Sequence, residues 1–96
     1  MQNINDLMKQ SYDEVKIART KVGVGIVSTI KIFGGWETSI THPAYCEGIW
    51  IPVQNYSCCD DCTKVGHRAW VKKLKDGLPA SLTDIRTGMQ YQRNGQ

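Results

Sequence analysis

The sequence predicts an α+β protein: a small antiparallel sheet of about three strands covered by one long helix, with an amphipathic helix at the N-terminus. Three observations carry this reading. Val22–Phe33, VGVGIVSTIKIF, alternates apolar residues with period two. Gly34-Gly35 follows at once and marks a hairpin turn. Ser57–Asp76, SCCDDCTKVGHRAWVKKLKD, repeats apolar residues at helical spacing, opens on acids and closes on lysines.

Ninety-six residues make one domain. A chain this short buries about 60–65% of its unfolded surface, so a second subunit is one route to added stability. A hydrophobic content of 41% and nine glycines fit a globular chain. No apolar run is long enough to cross a membrane. The first ten residues, MQNINDLMKQ, lack the basic-then-apolar pattern of a signal peptide. The expectation is a cytoplasmic protein whose four cysteines stay reduced.

Along the chain, residues 1–20 hold the first predicted element, a helix over Asn3–Arg19. Ile4, Leu7, Met8, Tyr12, Val15 and Ala18 repeat at helical spacing, and Asn3 or Asn5 can cap it. Its narrow apolar stripe asks for a partner, either the chain's own sheet or the other half of a homodimer. The sheet occupies residues 22–56. In its first strand Val22, Val24, Ile26, Ile30 and Ile32 share one face, while Gly23 and Gly25 allow a close backbone on the other. Gly23-x-Gly25 lacks the third glycine and the following helix of a phosphate loop. Trp36–Thr41 is the second strand. A three-residue loop of Phe33, Gly34 and Gly35 pairs Ile32 with Trp36, keeps apolar groups together, and gives glycine the left-handed position. Tyr45–Tyr56 is the third strand, and Pro52 makes it an edge.

In the main helix, residues 57–76, Ser57 is the predicted N-cap and Gly77 the stop. Cys58, Cys59, Cys62, Val65, Gly66, Ala69, Trp70 and Leu74 fall on one half, with His67 at its border. Lys73 falls on the same half, where its stem can snorkel to water. Lys64, Arg68, Lys72 and Lys75 form the opposite half. Ser81 is read as capping a short turn over Leu82–Thr87, with a strand through Ile85–Tyr91 as the alternative. Residues 89–96 are read as a frayed tail.

Two chemistries compete for the cysteines. Cys59-x-x-Cys62-x4-His67 has most of a zinc-knuckle spacing, with Cys46 as a fourth ligand, but the next knuckle position is Lys72. Burial as small apolar residues is the preferred reading, so no metal and no cofactor is assigned. A Cys46–His42 nucleophile pair lacks a recognisable local motif, and the acids are scattered, so the chain is not read as an enzyme. The net charge is +3, yet residues 64–75 hold five of the twelve lysines and arginines. Such a patch attracts nucleic acid or an acidic protein surface, although a solvated helix face is the commoner meaning of a charge run.

These residues also resemble a pattern shared by short uncharacterised bacteriophage proteins. Val27-Ser28-Thr29, Glu37-Thr38-Ser39-Ile40, Tyr56-Ser57 and Gly66-His67 carry the resemblance, which runs from about Val22 to Leu74. It implies a phage or mobile-element origin and a ββ(β)α arrangement, and it brings no activity with it. The expected function is a non-enzymatic binder that inhibits a host protein or protein–nucleic-acid complex, such as a CRISPR–Cas component. Lys64, Arg68, Lys72 and Lys75 are the candidate contacts, with Trp50 and Trp36 as aromatic anchors. Direct nucleic-acid binding by the same face, and sequestration of a nucleotide signal, are the alternatives.

Overall fold

A computed structural model describes residues 16–57 and 59–94. Strands β1 (Lys16–Val22), β2 (Gly25–Ile32), β3 (Gly35–Thr41) and β4 (Ile51–Tyr56) are followed by helix α1 (Asp60–Asp76), then β5 (Ser81–Thr83) and β6 (Gln90–Gln92). The first four form one antiparallel sheet in sequence order, and β5 and β6 form a separate hairpin. The α+β class and the covering helix are as expected. The main sheet has four strands rather than about three.

The additional strand is β1, which takes Lys16–Arg19 out of the predicted N-terminal helix. The remainder of that helix, residues 3–15, lies outside the described residues. In KIARTKV, Ala18, Thr20 and Val22 alternate with Arg19 and Lys21, a strand period that the helical spacing upstream conceals. The predicted strand Val22–Phe33 is broken near its start. Val22 pairs with Gly25 across a Gly23-Val24 turn, and Gly23 supplies the positive φ of 60° at its first central position.

The β2–β3 register also differs from expectation. The loop is Phe33-Gly34, and it pairs Ile32 with Gly35, Ile30 with Glu37, Thr29 with Thr38 and Val27 with Ile40. Gly34 takes the left-handed conformation at φ 86°. This register sets Val27, Thr29, Thr38 and Ile40 on the side covered by α1, and all four are fully buried. Ile26, Ser28, Ile30 and Ile32 therefore point to the opposite face. Of the predicted third strand, Ile51–Tyr56 is extended, while residues 43–49 form turns. The sheet order makes β4 an edge, as Pro52 implied.

The helix begins two residues later than predicted. Cys59, not Ser57, is the N-cap; its side chain accepts the N–H of Cys62. Ser57 still belongs to the connection leaving β4. The C-terminal stop at Gly77 is where the sequence put it, with its N–H bonded to the Lys73 carbonyl. The helix is rolled relative to expectation. Thr63, His67 and Leu74 are buried and Gly66, Trp70 and Val71 half-buried, whereas Cys62, Val65 and Ala69 are exposed. Lys73 does reach water, its ammonium 4.7 Å from the Trp70 ring centre.

The apolar core occupies one end of this sandwich. It joins Val27, Ile40, Tyr45 and Ile51 to Leu74 of α1 and Leu82 of β5. Around it the Tyr45 hydroxyl donates to the Pro79 carbonyl at 2.6 Å, and burial raises the pKa of that phenol. The segment after α1 is neither the expected helical turn and frayed tail nor the alternative single strand through Ile85–Tyr91, but a hairpin. Leu82 pairs with Tyr91 instead, and the Arg93 and Asn94 N–H groups bond to Ala80 and Ala44 carbonyls. The Ile85 N–H donates to the Pro52 carbonyl, which ties the hairpin to β4.

On the sheet's far face Glu37 is 4% exposed. Arg86, from the β5–β6 turn, grips it with both arms at 2.7 and 3.0 Å. Arg86→Met strands a carboxylate in a nearly dry site. The paired arginine is itself largely exposed, which moderates the loss. A destabilisation of about 2 kcal/mol is expected in urea titration at neutral pH, and Arg86→Met combined with Glu37→Gln should recover much of it. Gly66→Ala is expected to cost about 1–3 kcal/mol, because a methyl there runs into the ring of Tyr56.

Candidate functional site

The other end of the α1–sheet interface is polar. His67 projects from the middle of α1 towards the sheet. Its Nδ1 lies 2.8 Å from Thr29 Oγ1 and its Nε2 lies 2.9 Å from Thr20 Oγ1. Thr29 Oγ1 is 2.6 Å from Thr38 Oγ1, and Thr38 donates to the Tyr56 hydroxyl at 3.4 Å. A hydroxyl has one proton to give. With Thr38 giving its proton to Tyr56, Thr29 must donate to Thr38. His67 then donates from Nδ1 to Thr29 and accepts from Thr20 at Nε2. With the ring neutral, the chain of protons runs one way, from Thr20 to Tyr56, and selects the Nδ1–H tautomer.

Thr63 completes this end. It is fully buried, and its hydroxyl donates to the Cys59 carbonyl at 2.8 Å. Burial lowers the pKa of His67, since a charged imidazolium here would lose water. His67 is thus a structural neutral histidine, and both of its nitrogens are engaged by threonines. This separates it from the cysteines of the knuckle spacing: the Cys59 and Cys62 residues are exposed at the helix start. Among the described residues no three His, Cys, Asp or Glu side chains gather where a metal ion could sit. His42 is also engaged, its Nδ1 accepting the Ala44 N–H in the turn after β3.

The four basic candidates lie where the sequence placed them. Lys64, Arg68, Lys72 and Lys75 are all exposed on α1. The line they form spans roughly 16 Å at 1.5 Å per residue. Arg68, Lys72 and Lys75, with Val71 and Asp76, border an open groove of about 410 Å³ whose floor includes Thr20 and His67. Lys72 is held by Asp76 at 2.5 Å, which raises the lysine pKa through that hydrogen bond and its charge. Among the described residues, Asp76 is the one acid lining the groove.

The two tryptophans do not join this line. Trp50 sits across the sheet, beside the groove bordered by Arg19, Ser28, Ile30 and Ser39. The Arg19 guanidinium lies 5.6 Å from its ring centre. Trp36 is half-buried in β3, with an indole N–H shielded from water. Sequence reasoning missed the threonine network, whose members are scattered over β1, β2, β3 and α1. The Thr-Lys-Val and Val-Ser-Thr alternation of β1 and β2 was the available signal.

The described chain is an α+β protein, a four-stranded antiparallel sheet covered on one face by a helix, with a basic flank along that helix. None of its described helices is long and apolar enough to cross a membrane. No protein-family model matches the chain, and no curated protein or solved structure is significantly similar to it.

The lowered His67 pKa has a definite sign in stability. The unfolded chain binds this proton more readily than the fold does, so stability rises with pH. The contribution is complete above the ordinary value of 6.5 and is lost as pH falls below it through the lowered folded-state pKa. Urea midpoints measured from pH 7.5 to 5 should fall over this window. His67→Gln should be less stable throughout and should lose the histidine part of the slope. An equal slope in both proteins would contradict the assignment.

Proposed function

We propose that the protein is a small non-enzymatic binder whose basic α1 flank docks on an acidic surface of a host protein or protein–nucleic-acid complex and blocks it. The observation that carries this reading is the exposed line of Lys64, Arg68, Lys72 and Lys75, with three of its members bordering one groove. Like-charged side chains along one flank attract an anionic partner and steer its encounter. The resemblance to short bacteriophage proteins favours a phage or mobile-element inhibitor acting in the host cytoplasm, with an antiviral defence complex of the CRISPR–Cas kind as its target. Trp50 and Trp36 lie away from the line and are not contacts in this reading.

Direct binding of nucleic acid by the same flank is the second reading, favoured by the regular spacing of the charges. It differs in its response to salt. Four neutralised phosphates give a slope of log K against log salt of about −3 to −4.

The test reverses all four charges to glutamate. The variant should keep its circular dichroism spectrum and lose capture of its target from nuclease-treated host lysate. Retained capture removes the flank from the account. Capture that disappears with nuclease, together with the steep salt slope in anisotropy titrations on a DNA duplex, selects the second reading.

A further inference from the structure

The first turn of α1 brings two thiols together on the surface. The Cys59 thiol donates to Cys62 Sγ at 3.1 Å, and the Cys62 N–H donates back to Cys59 Sγ at 3.3 Å. A disulfide needs about 2.05 Å between sulfurs, so each sulfur has about half an ångström to travel. The backbone around them is already tied down: the N–H and the hydroxyl of Thr63 both donate to the Cys59 carbonyl, at 3.1 and 2.8 Å. Closure asks for side-chain rotation and leaves the helix standing. Both residues are open to solvent, whereas Cys46 is half-buried in the turns before β4.

We propose that Cys59 and Cys62 are a redox-active dithiol that closes to a disulfide by exchange with a low-molecular-weight disulfide of the glutathione class. Cys-x-x-Cys at the start of a helix is a spacing suited to this chemistry. Cys59 is the attacking residue, because the helix N–H aimed at its sulfur binds more strongly when that sulfur is charged. Its thiolate bonds to one sulfur of the small disulfide and expels the other as a thiolate, leaving a mixed disulfide on Cys59. Cys62 gives up its proton and attacks the Cys59 sulfur, and the second small thiolate leaves. The protein loses two electrons and two protons, and one small disulfide becomes two small thiols. The site is independent of the basic flank, which starts at Lys64 and faces elsewhere on the helix.

The test treats the folded wild-type chain with glutathione disulfide, quenches in acid, alkylates, and cleaves with chymotrypsin. The peptide after Tyr56 carries Cys58, Cys59 and Cys62, and fragmentation locates each modification. The expected product joins Cys59 to Cys62 and leaves Cys58 outside the bond. A bond that includes Cys58, full alkylation of all three, or a lasting glutathione adduct on Cys59 or Cys62 would overturn the proposal. In Cys62→Ser the reaction should stop at a stable glutathione adduct on Cys59. No adduct there refutes Cys59 as the attacking thiol.

Discussion

The structure depends on a buried histidine that has to remain neutral. His67 joins α1 to β1 and β2 directly, and to β3 and β4 through two threonines and a tyrosine. Each such hydrogen bond adds only about 1 kcal/mol net, while each one left unmade in a dry place costs about 1–3. The network therefore acts less as glue than as a gauge. A helix rolled to any other angle takes the imidazole away from both threonine hydroxyls at once. That explains why α1 buries Thr63 and His67 and turns Val65, 59% exposed, to the water. A reading from apolar spacing alone chooses a different roll, since it gives no weight to partners on other strands.

The sequence resolved what local chemistry decides. The helix ends at Gly77 because glycine alone there meets the backbone at no steric cost, and acids and lysines mark its two ends. The β2–β3 hairpin takes a different register because one residue of register decides the face, and local pattern cannot weigh a distant histidine against a nearby isoleucine. The β2–β3 pairing puts Thr29 opposite Thr38, which looks wasteful in the sheet alone and becomes necessary once His67 lies above. β1 was hidden for a related reason: its alternation lies next to a helical periodicity. Gly23 was the overlooked signal, a residue able to turn the chain with φ 60°.

The basic flank was legible because charge on a helix repeats with the turn, and packing scarcely alters which residues reach water. The tryptophans were not, because a strand residue's face depends on pairing. Trp50 belongs with Arg19 on the far side, and Trp36 is partly enclosed. The thiol pair was visible as a spacing but misplaced in depth. Cysteine's usual preference for the interior pointed inward, whereas its use as a helix cap requires the sulfur to stay at the end, beside the first N–H groups.

One helix is thus fastened by unlike means along its length, aliphatic around Leu74 in the last turns and hydroxylic around His67 near the middle. Fat is forgiving: a leucine seat accepts methionine or isoleucine with modest repacking. A relay whose inner members each give one proton and take another has no such latitude. Random variation should therefore be tolerated unevenly along the same seventeen residues, freely in the last turns and hardly at all near the middle.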